Sequence, residues 1–177
     1  MQTKTVDVHR VFWSLASFRR RLPQTLRETL MSQDLYTGIS EQARASTHRL
    51  ADARALFNAG RWRGAMYMAG YAVECLLKTQ LMRMYDCRTL RELEEELQRR
   101  GALPEHATVF THHLELLLRL TQRFDQLRQH HMLWPQFVLV NRWIPAWRYT
   151  ADVANRQDAG DFLEAIAQIM QWLEHNV

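Results

Sequence analysis

Histidine, cysteine and acidic side chains supply most metal ligands and acid–base groups in proteins, and this chain has eight histidines and two cysteines. Four of the histidines form the adjacent pairs His112–His113 and His130–His131. Adjacent residues point to different faces of a helix, so neither pair has the geometry that a shared metal ion needs. The chain also lacks the CxxC and HExxH spacings of metal sites. We therefore expect no metal.

Glycine-dependent and serine-dependent sites are equally unsupported. The chain has only six glycines and contains no P-loop, no GxGxxG dinucleotide pattern and no GxSxG nucleophile elbow. We expect no cofactor of these kinds and no serine triad.

The chain has far more arginine than lysine, and this excess suggests a chemical role. Of the 23 lysines and arginines, only Lys4 and Lys78 are lysines, which leaves 21 arginines and a net charge of +4. The planar guanidinium binds phosphates and carboxylates through two parallel hydrogen bonds, which suits a nucleic-acid partner. A biased genomic composition would replace lysine by arginine without functional meaning, and the net charge is modest.

The stretch 58–78, NAGRWRGAMYMAGYAVECLLK, predicts the central helix of an all-α domain, because its apolar residues follow helical spacing. Gly64 and Gly70 would each cost a helix about 1 kcal/mol relative to alanine, which indicates that a neighbouring element approaches closely. Glu74 and Lys78 form a favourable i,i+4 pair beside the apolar face.

The order of this stretch, A-G-R-W followed by A-x-x-x-A-G-Y-A-V-E-C-L-L-K, resembles the HEPN domains. His113–Leu114, Arg148–Tyr149 and a closing helix rich in Ala and Ile extend the resemblance over residues 40–177. HEPN domains are small helical bundles, usually dimeric. Many are RNases or toxins encoded beside a nucleotidyltransferase-type antitoxin, and others are non-catalytic modules that bind nucleotides or RNA.

The resemblance implies a prokaryotic toxin–antitoxin or defence protein that acts on RNA, as a metal-independent endoribonuclease or as a non-catalytic RNA- or nucleotide-binding module. Catalytic members carry an Arg followed after four to six residues by a His. Arg123 and His130 fit with six residues between them. In that role Arg holds the phosphate and His moves a proton. Arg100 and His106 fit as well, since such spacings arise by chance in an arginine-rich chain. The alternative for Arg123 and His130 is a solvated helix end.

Five further residues match positions of the family and are candidates for RNA or nucleotide binding: Glu74, Lys78, His113, Arg148 and Tyr149. Arg148 could clamp a phosphate while Tyr149 stacks on a base. The structural alternatives are a Glu74–Lys78 pair on the core helix, a packing or capping role for His113, and an ion pair between Arg148 and Glu74.

Hydrophobic spacing around the central helix predicts an all-α bundle of about five helices with an extra N-terminal helix, and the resemblance implies that this bundle is HEPN-like. Residues 1–39 are expected to form an appendage, with a helix at 11–31 that carries Arg19, Arg20 and Arg21, and residues 40–177 the bundle. Besides the central helix, the bundle helices are expected at 40–59, 89–100, 110–129 and 159–175. Glu94 and its acidic neighbours on the helix at 89–100 are expected to face solvent. The segment 136–147 is expected to be irregular or a short helical turn.

The surroundings of the protein are predicted from absent signals and from the central helix. No apolar run approaches the roughly 18 residues of a membrane span, and the N-terminus lacks a signal-peptide pattern. We expect no membrane contact and a cytoplasmic location. The small residues of the central helix predict a homodimer, because this Arg-rich and Trp-rich chain has more apolar surface than five helices readily bury. The resemblance to HEPN domains implies that the partners are RNA or a nucleotide, with an antitoxin or nucleotidyltransferase.

Overall fold

A computed structural model of the chain describes residues 37–150 and 154–177, which belong to one compact unit, Thr37–Val177. This part of the chain is all-α, as predicted, and its only extended pairing is an isolated bridge between Gly38 and Thr89. The helix expected at 11–31, with Arg19, Arg20 and Arg21, lies outside the described residues. The helices are α1 (Ile39–Asn58), α2 (Trp62–Met84), α3 (Leu90–Arg99), α4 (Leu114–Leu120), α5 (Phe124–Gln129), α6 (Leu133–Val140), a 3-10 helix (Pro145–Tyr149) and α7 (Arg156–Asn176).

Helices α1 and α2 form an antiparallel hairpin around Gly60. Gly60 has a φ of +71°, its N–H donates to the Phe57 carbonyl, and the Arg61 N–H donates to the Leu56 carbonyl. These two bonds make a Schellman motif, which needs a left-handed residue after the helix and is therefore commonly built on glycine. The turn reverses the chain at once, so α2 packs against α1.

Helix α2 is the centre of the fold, because it contacts α1, α3, α4, α7 and the 3-10 helix. Its small residues Ala65, Ala69 and Ala72 are fully buried. Gly70 faces the buried indole of Trp143, and a Cβ at this position would fall well inside van der Waals contact with that ring. The close approach predicted from the glycines is thus made at Gly70 by a side chain of the same chain rather than by a second helix.

The single helix expected at 110–129 is instead two short helices, α4 and α5. The helical path breaks at Gln122, whose φ is +59°. The Thr121 hydroxyl donates to the Leu118 carbonyl at 2.6 Å, and its oxygen accepts the Arg123 N–H at 3.3 Å. Threonine here binds backbone groups locally and ends the helix, a competition that hydrophobic spacing does not reveal.

The segment 136–147, which was expected to be irregular or a short helical turn, contains most of α6 and the start of the 3-10 helix. Pro135 lies in the first turn of α6, where its missing N–H costs no intrahelical hydrogen bond. Phe137 and Val140 point into the core. Burial of this face outweighs the strand propensity of the β-branched residues.

Helix α3 was expected to expose its acidic residues, and for Glu94 this is wrong. Glu94 is half-buried, and its Oε2 accepts the Val109 N–H at 2.7 Å and the Thr108 hydroxyl at 3.0 Å. These bonds tie the loop 100–113 to α3. The position of the helix itself agrees with the prediction, and Thr89 caps it by accepting the Glu92 N–H at 3.2 Å.

Candidate functional site

A buried ion pair lies at the middle of α2. Lys78 Nζ is 2.6 Å from Glu74 Oε1, and the two side chains are only 6% and 5% exposed. The two residues are one helical turn apart, so the helix itself brings them together. Because α2 is covered on most sides, the pair lies inside the bundle, where each charge depends on the other for compensation.

The second oxygen of Glu74 binds a histidine from outside the helix. His112 Nδ1 is 2.9 Å from Glu74 Oε2, and the imidazole is 48% exposed. A carboxylate can only accept, so Nδ1–H donates and the neutral ring keeps its lone pair on Nε2. Glu74 therefore connects a buried ammonium to a histidine that reaches the surface.

Tyr67 and Tyr71 lie on the same face of α2 as the ion pair. Their hydroxyls are 3.2 Å apart, and the Tyr71 ring meets the His112 ring edge-on at 6.0 Å. Trp143 packs against Tyr71 at 4.8 Å, and its Nε1–H donates to the Tyr67 carbonyl at 3.0 Å. Glu74, Lys78, His112, Tyr67 and Tyr71 are here called the His112 cluster.

Two pKa shifts describe the electrostatics of this region. Burial raises the pKa of Tyr71 well above its ordinary range; the hydrogen bond to Tyr67 and the charge of Glu74 act in the same direction, and the charge of Arg148 opposes them. Burial raises the pKa of the neighbouring Cys75 thiol to about 11. The Tyr71 hydroxyl thus stays protonated, and Cys75 is a thiol rather than a nucleophilic thiolate at neutral pH.

Arg148 and Tyr149 are the last two residues of the 3-10 helix. Tyr149 is 79% exposed, and the Arg148 guanidinium carbon lies 4.8 Å from the centre of its ring. The Arg148 charge is close enough to Tyr71 to act on its pKa. The ion pair between Arg148 and Glu74 that the sequence left open is not formed, because Glu74 binds Lys78 and His112 instead.

His113 was a predicted binding residue, but its neighbour His112 is the histidine that joins Glu74. His113 is the N-cap residue of α4 and lines an open pocket of about 350 Å³ with Leu116, Arg119 and Ile144. Sequence reasoning missed His112, Tyr67, Tyr71 and Trp143. The two tyrosines had a detectable signal, because Tyr67, Tyr71, Glu74 and Lys78 follow i, i+4, i+7 and i+11 spacing on α2.

The predicted catalytic pair, Arg123 and His130, flanks α5 at its two ends. Arg123 is the residue before the helix and His130 the residue after it, and both are exposed. Seven residue steps at 1.5 Å place their backbones roughly 10 Å apart. The Arg123 guanidinium reaches Gln126 at 3.5 Å. The structure does not join the two side chains within one chain, and neither belongs to the His112 cluster.

Two further observations concern the described ranges as a whole. Within residues 37–150 and 154–177, no three His, Cys, Asp or Glu side chains assemble into a metal-ligand group. No helix in these ranges has both the length and the apolarity to cross a membrane.

Comparison with known proteins adds no relative. No protein-family model matches the chain, and neither the curated proteins nor the solved structures gave a significant match. The residues of the site and their geometry are therefore the basis for a functional proposal.

Proposed function

We propose that this protein is a HEPN-like module of a prokaryotic toxin–antitoxin or defence system, and that it binds single-stranded RNA at Arg148, Tyr149 and the His112 cluster. The observation that supports this proposal most strongly is the exposure of Tyr149, a residue that is 79% accessible and whose ring centre lies 4.8 Å from the Arg148 guanidinium carbon. The family in this proposal rests on the sequence resemblance, and the RNA-binding surface rests on the arrangement of these side chains.

An exposed tyrosine beside an arginine has the chemistry that single-stranded RNA requires. A base that stacks on an aromatic ring contributes about 1–3 kcal/mol, and the guanidinium binds the adjoining phosphate through parallel hydrogen bonds. Bases in a duplex are already stacked, so this mode favours loops and single strands. Tyr71, whose raised pKa the Arg148 charge opposes, and His112, whose ring meets the Tyr71 ring, would extend the surface with polar groups.

The proposal is tested by fluorescence anisotropy with a labelled single-stranded RNA. Arg148→Ala and Tyr149→Ala should each weaken the Kd about tenfold, which corresponds to about 1.4 kcal/mol. Tyr149→Phe keeps the ring and should bind nearly as well as the wild type. Arg54→Ala removes an exposed arginine from α1 and is the matched control. Wild-type protein that binds no RNA, or an Arg54→Ala effect equal to that of Arg148→Ala, would reject this surface.

If the protein is a catalytic HEPN domain, Arg123 and His130 take part in RNA cleavage. If it is a non-catalytic binding module, they have no such role. The exposure of these residues at opposite ends of α5 favours a binding module as far as that pair is concerned. Their catalytic role stays a prediction, which the variant His130→Ala tests in an RNA-cleavage assay.

The partners belong to the same proposal. We propose that the protein works as a homodimer together with an antitoxin or nucleotidyltransferase. Exposed apolar side chains such as Met132 and Ile144, which are 76% and 46% accessible, are available for such contacts. Light scattering should give twice the chain mass of 21.1 kDa, and a mass of one chain at micromolar concentration would contradict the dimer.

A further inference from the structure

We propose that a cavity beside α7 binds a small zwitterion with an apolar side chain, an α-amino acid, through Arg142 and Asp161. The cavity has a volume of about 340 Å³ and is lined by residues of α2, α6, the 3-10 helix, α7 and the segments that follow α6 and precede α7. Among the described residues, its lining includes neither Arg148 and Tyr149 nor a member of the His112 cluster. The inference is therefore independent of the proposed RNA binding.

Much of the cavity wall is apolar. It is formed by buried and half-buried side chains, which are Met66, Leu139, Trp147, Ala154 and Phe162. The Trp147 ring has a contact with two of its neighbours, since the Arg63 guanidinium carbon lies 4.8 Å from its centre and the Phe162 ring lies 5.9 Å away. Ligand pockets have volumes of roughly 300–1,000 Å³, so this small cavity suits a metabolite with an apolar group rather than a polymer.

Charges of both signs line the same cavity. Arg142 follows α6, and Asp158 and Asp161 lie near the start of α7, three residues apart. All three residues are exposed, so a ligand can reach them from solvent. Among the described residues, no ion pair joins Arg142 to either carboxylate. These charges are therefore available to a ligand that carries both an anionic and a cationic group.

The two residues that we assign to the ligand have the hydrogen-bonding capacity that a zwitterion requires. Asp161 Oδ1 accepts from the Gln157 amide at 2.7 Å, and its Oδ2 has no donor within the described part of the chain. An ammonium group carries three donors for such an oxygen. The planar guanidinium of Arg142 matches a carboxylate, which it can bind through two parallel hydrogen bonds. A carboxylate at Arg142 and an ammonium at Asp161 would satisfy both residues.

Asp158 also has a structural role that needs no ligand. Its N–H and its carboxylate both bind the side chain of the N-cap residue Asn155 at 2.8 Å, and acidic residues stabilise the first turn of a helix. Asp161 lies in the second turn, outside this motif, and the inference depends on it. A phosphate ligand such as a nucleotide would meet two carboxylates in this cavity, and a simple cation would meet arginines. Ligands of a single sign are therefore disfavoured.

Isothermal titration calorimetry of the full chain tests the charge requirement with L-leucine and three analogues. L-leucine should bind with a Kd of about 1 mM or tighter. N-acetyl-L-leucine lacks the ammonium and L-leucinamide lacks the carboxylate, so each should bind at least about tenfold more weakly through the loss of a charged hydrogen bond. Glycine keeps both charges and should also bind at least about tenfold more weakly, because it has no side chain to bury.

Asp161→Asn tests the recognition of the ammonium. This variant should bind L-leucine at least about tenfold more weakly and should lose the preference for L-leucine over N-acetyl-L-leucine. Glu164→Gln is the matched control, because Glu164 is an exposed acid of the same helix that accepts from Gln168 as Asp161 accepts from Gln157. An effect of Glu164→Gln equal to that of Asp161→Asn would overturn the assignment.

Arg142→Gln tests the recognition of the carboxylate. It should lose the preference for L-leucine over L-leucinamide, whereas Arg128→Gln, which alters an exposed arginine of α5, should keep it. Arg142 and Asp161 are exposed, so both variants should keep the thermal midpoint of the wild type. A general loss of structure would weaken all ligands equally, whereas specific recognition changes the ratio for one analogue. An unchanged ratio in Arg142→Gln would overturn the assignment of the carboxylate.

The remaining outcomes decide the class of ligand. Absence of binding by L-leucine at about 1 mM, or equal affinities for L-leucine and glycine, would overturn the inference. Equal binding of N-acetyl-L-leucine would indicate an anion site only, equal binding of L-leucinamide would indicate a cation site only, and each contradicts the recognition of both charges. Tighter binding of AMP than of L-leucine would assign the cavity to nucleotides instead. RNA binding at Arg148 and Tyr149 is measured separately by anisotropy, so either proposal can fail while the other stands.

Discussion

Gly70 is the residue on which the position of Trp143 depends. The indole occupies the space where a Cβ at position 70 would lie, and it packs in turn against Tyr71 of the His112 cluster. Gly70→Ala must displace a buried ring, so we expect a loss of about 3 kcal/mol in the free energy of unfolding. Gly64→Ala is the matched control, because its Cβ would meet Leu56 at an ordinary 3.5 Å and gains up to about 1 kcal/mol in helix propensity.

Urea denaturation of the two glycine variants checks this expectation. Equal stability of Gly64→Ala and Gly70→Ala would mean that Trp143 does not pack against the glycine. Loss of RNA binding in Gly70→Ala at a urea concentration that leaves it folded would connect the indole to the surface beside it.

The Cys75 thiol gives a pH dependence of known sign. Its pKa is raised by burial from 9.0 to about 11, so the folded state favours the neutral thiol. The contribution of this thiol to the free energy of unfolding is fully present below the pKa that the thiol has in the unfolded chain. It is lost as the pH rises from about 9 towards 11. We expect a decrease on the order of 1–2 kcal/mol over this range, and a flatter profile in Cys75→Ala. Identical profiles in urea titrations at pH 8 to 11 would contradict the burial of the thiol.

At the scale of elements, the loop that carries His112 is held by one carboxylate of α3. Glu94 accepts the Val109 N–H and the Thr108 hydroxyl. Glu94→Ala should release the loop, speed hydrogen exchange at the Val109 amide and cost about 1–2 kcal/mol, since a buried donor loses its partner. Glu95→Ala alters an exposed neighbour on the same helix and should change neither quantity. Exchange measured by NMR that is unchanged in Glu94→Ala would show that the loop is held elsewhere.

The helices also show how much of the fold could be predicted from the sequence. The long helices α1, α2, α3 and α7 lie close to where their apolar periodicity predicts them, because each buries a continuous face against the core. The break at Gln122 depends on a threonine hydroxyl that binds backbone groups, and helix α6 depends on burial against α7. Such effects come from local hydrogen bonding and tertiary packing, which a hydrophobic pattern does not contain.

The sequence likewise predicts one part of the candidate site and not the other. Glu74 and Lys78 could be paired from their spacing, since a helix places residues four apart on one side. His112 could not be assigned to them, because 38 positions separate it from Glu74 and the loop 100–113 that carries it has no periodicity. His113 was selected because His113–Leu114 matches the family resemblance, and nothing in the sequence states which of the two adjacent histidines contacts Glu74.

At the scale of the whole molecule, the small residues of α2 have a purpose within one chain. Ala65, Ala69 and Ala72 are fully buried, and Gly70 accommodates Trp143. The homodimer proposed above therefore requires other surfaces. The exposed apolar residues of the described part that remain available are Met84, Phe110, Met132, Val138, Ile144 and Tyr149. Tyr149 would have to serve either RNA or a second chain, so RNA binding and dimerisation at that residue exclude each other.

The charge of the molecule sets the salt dependence of the proposed RNA binding. With 21 arginines among its 23 basic residues and a net charge of +4, the protein would gain affinity from the release of counterions as arginines replace them at phosphates. For a single strand, the logarithm of the binding constant falls with the logarithm of the salt concentration by about 0.7 per neutralised phosphate. Arg148→Ala should therefore reduce the slope by about 0.7, whereas Tyr149→Ala should lower affinity equally at all salt concentrations, because stacking releases no counterion. Anisotropy titrations between about 50 and 200 mM salt distinguish the two variants. If Arg148→Ala keeps the wild-type slope, its guanidinium does not contact a phosphate, and the aromatic surface would bind bases without it.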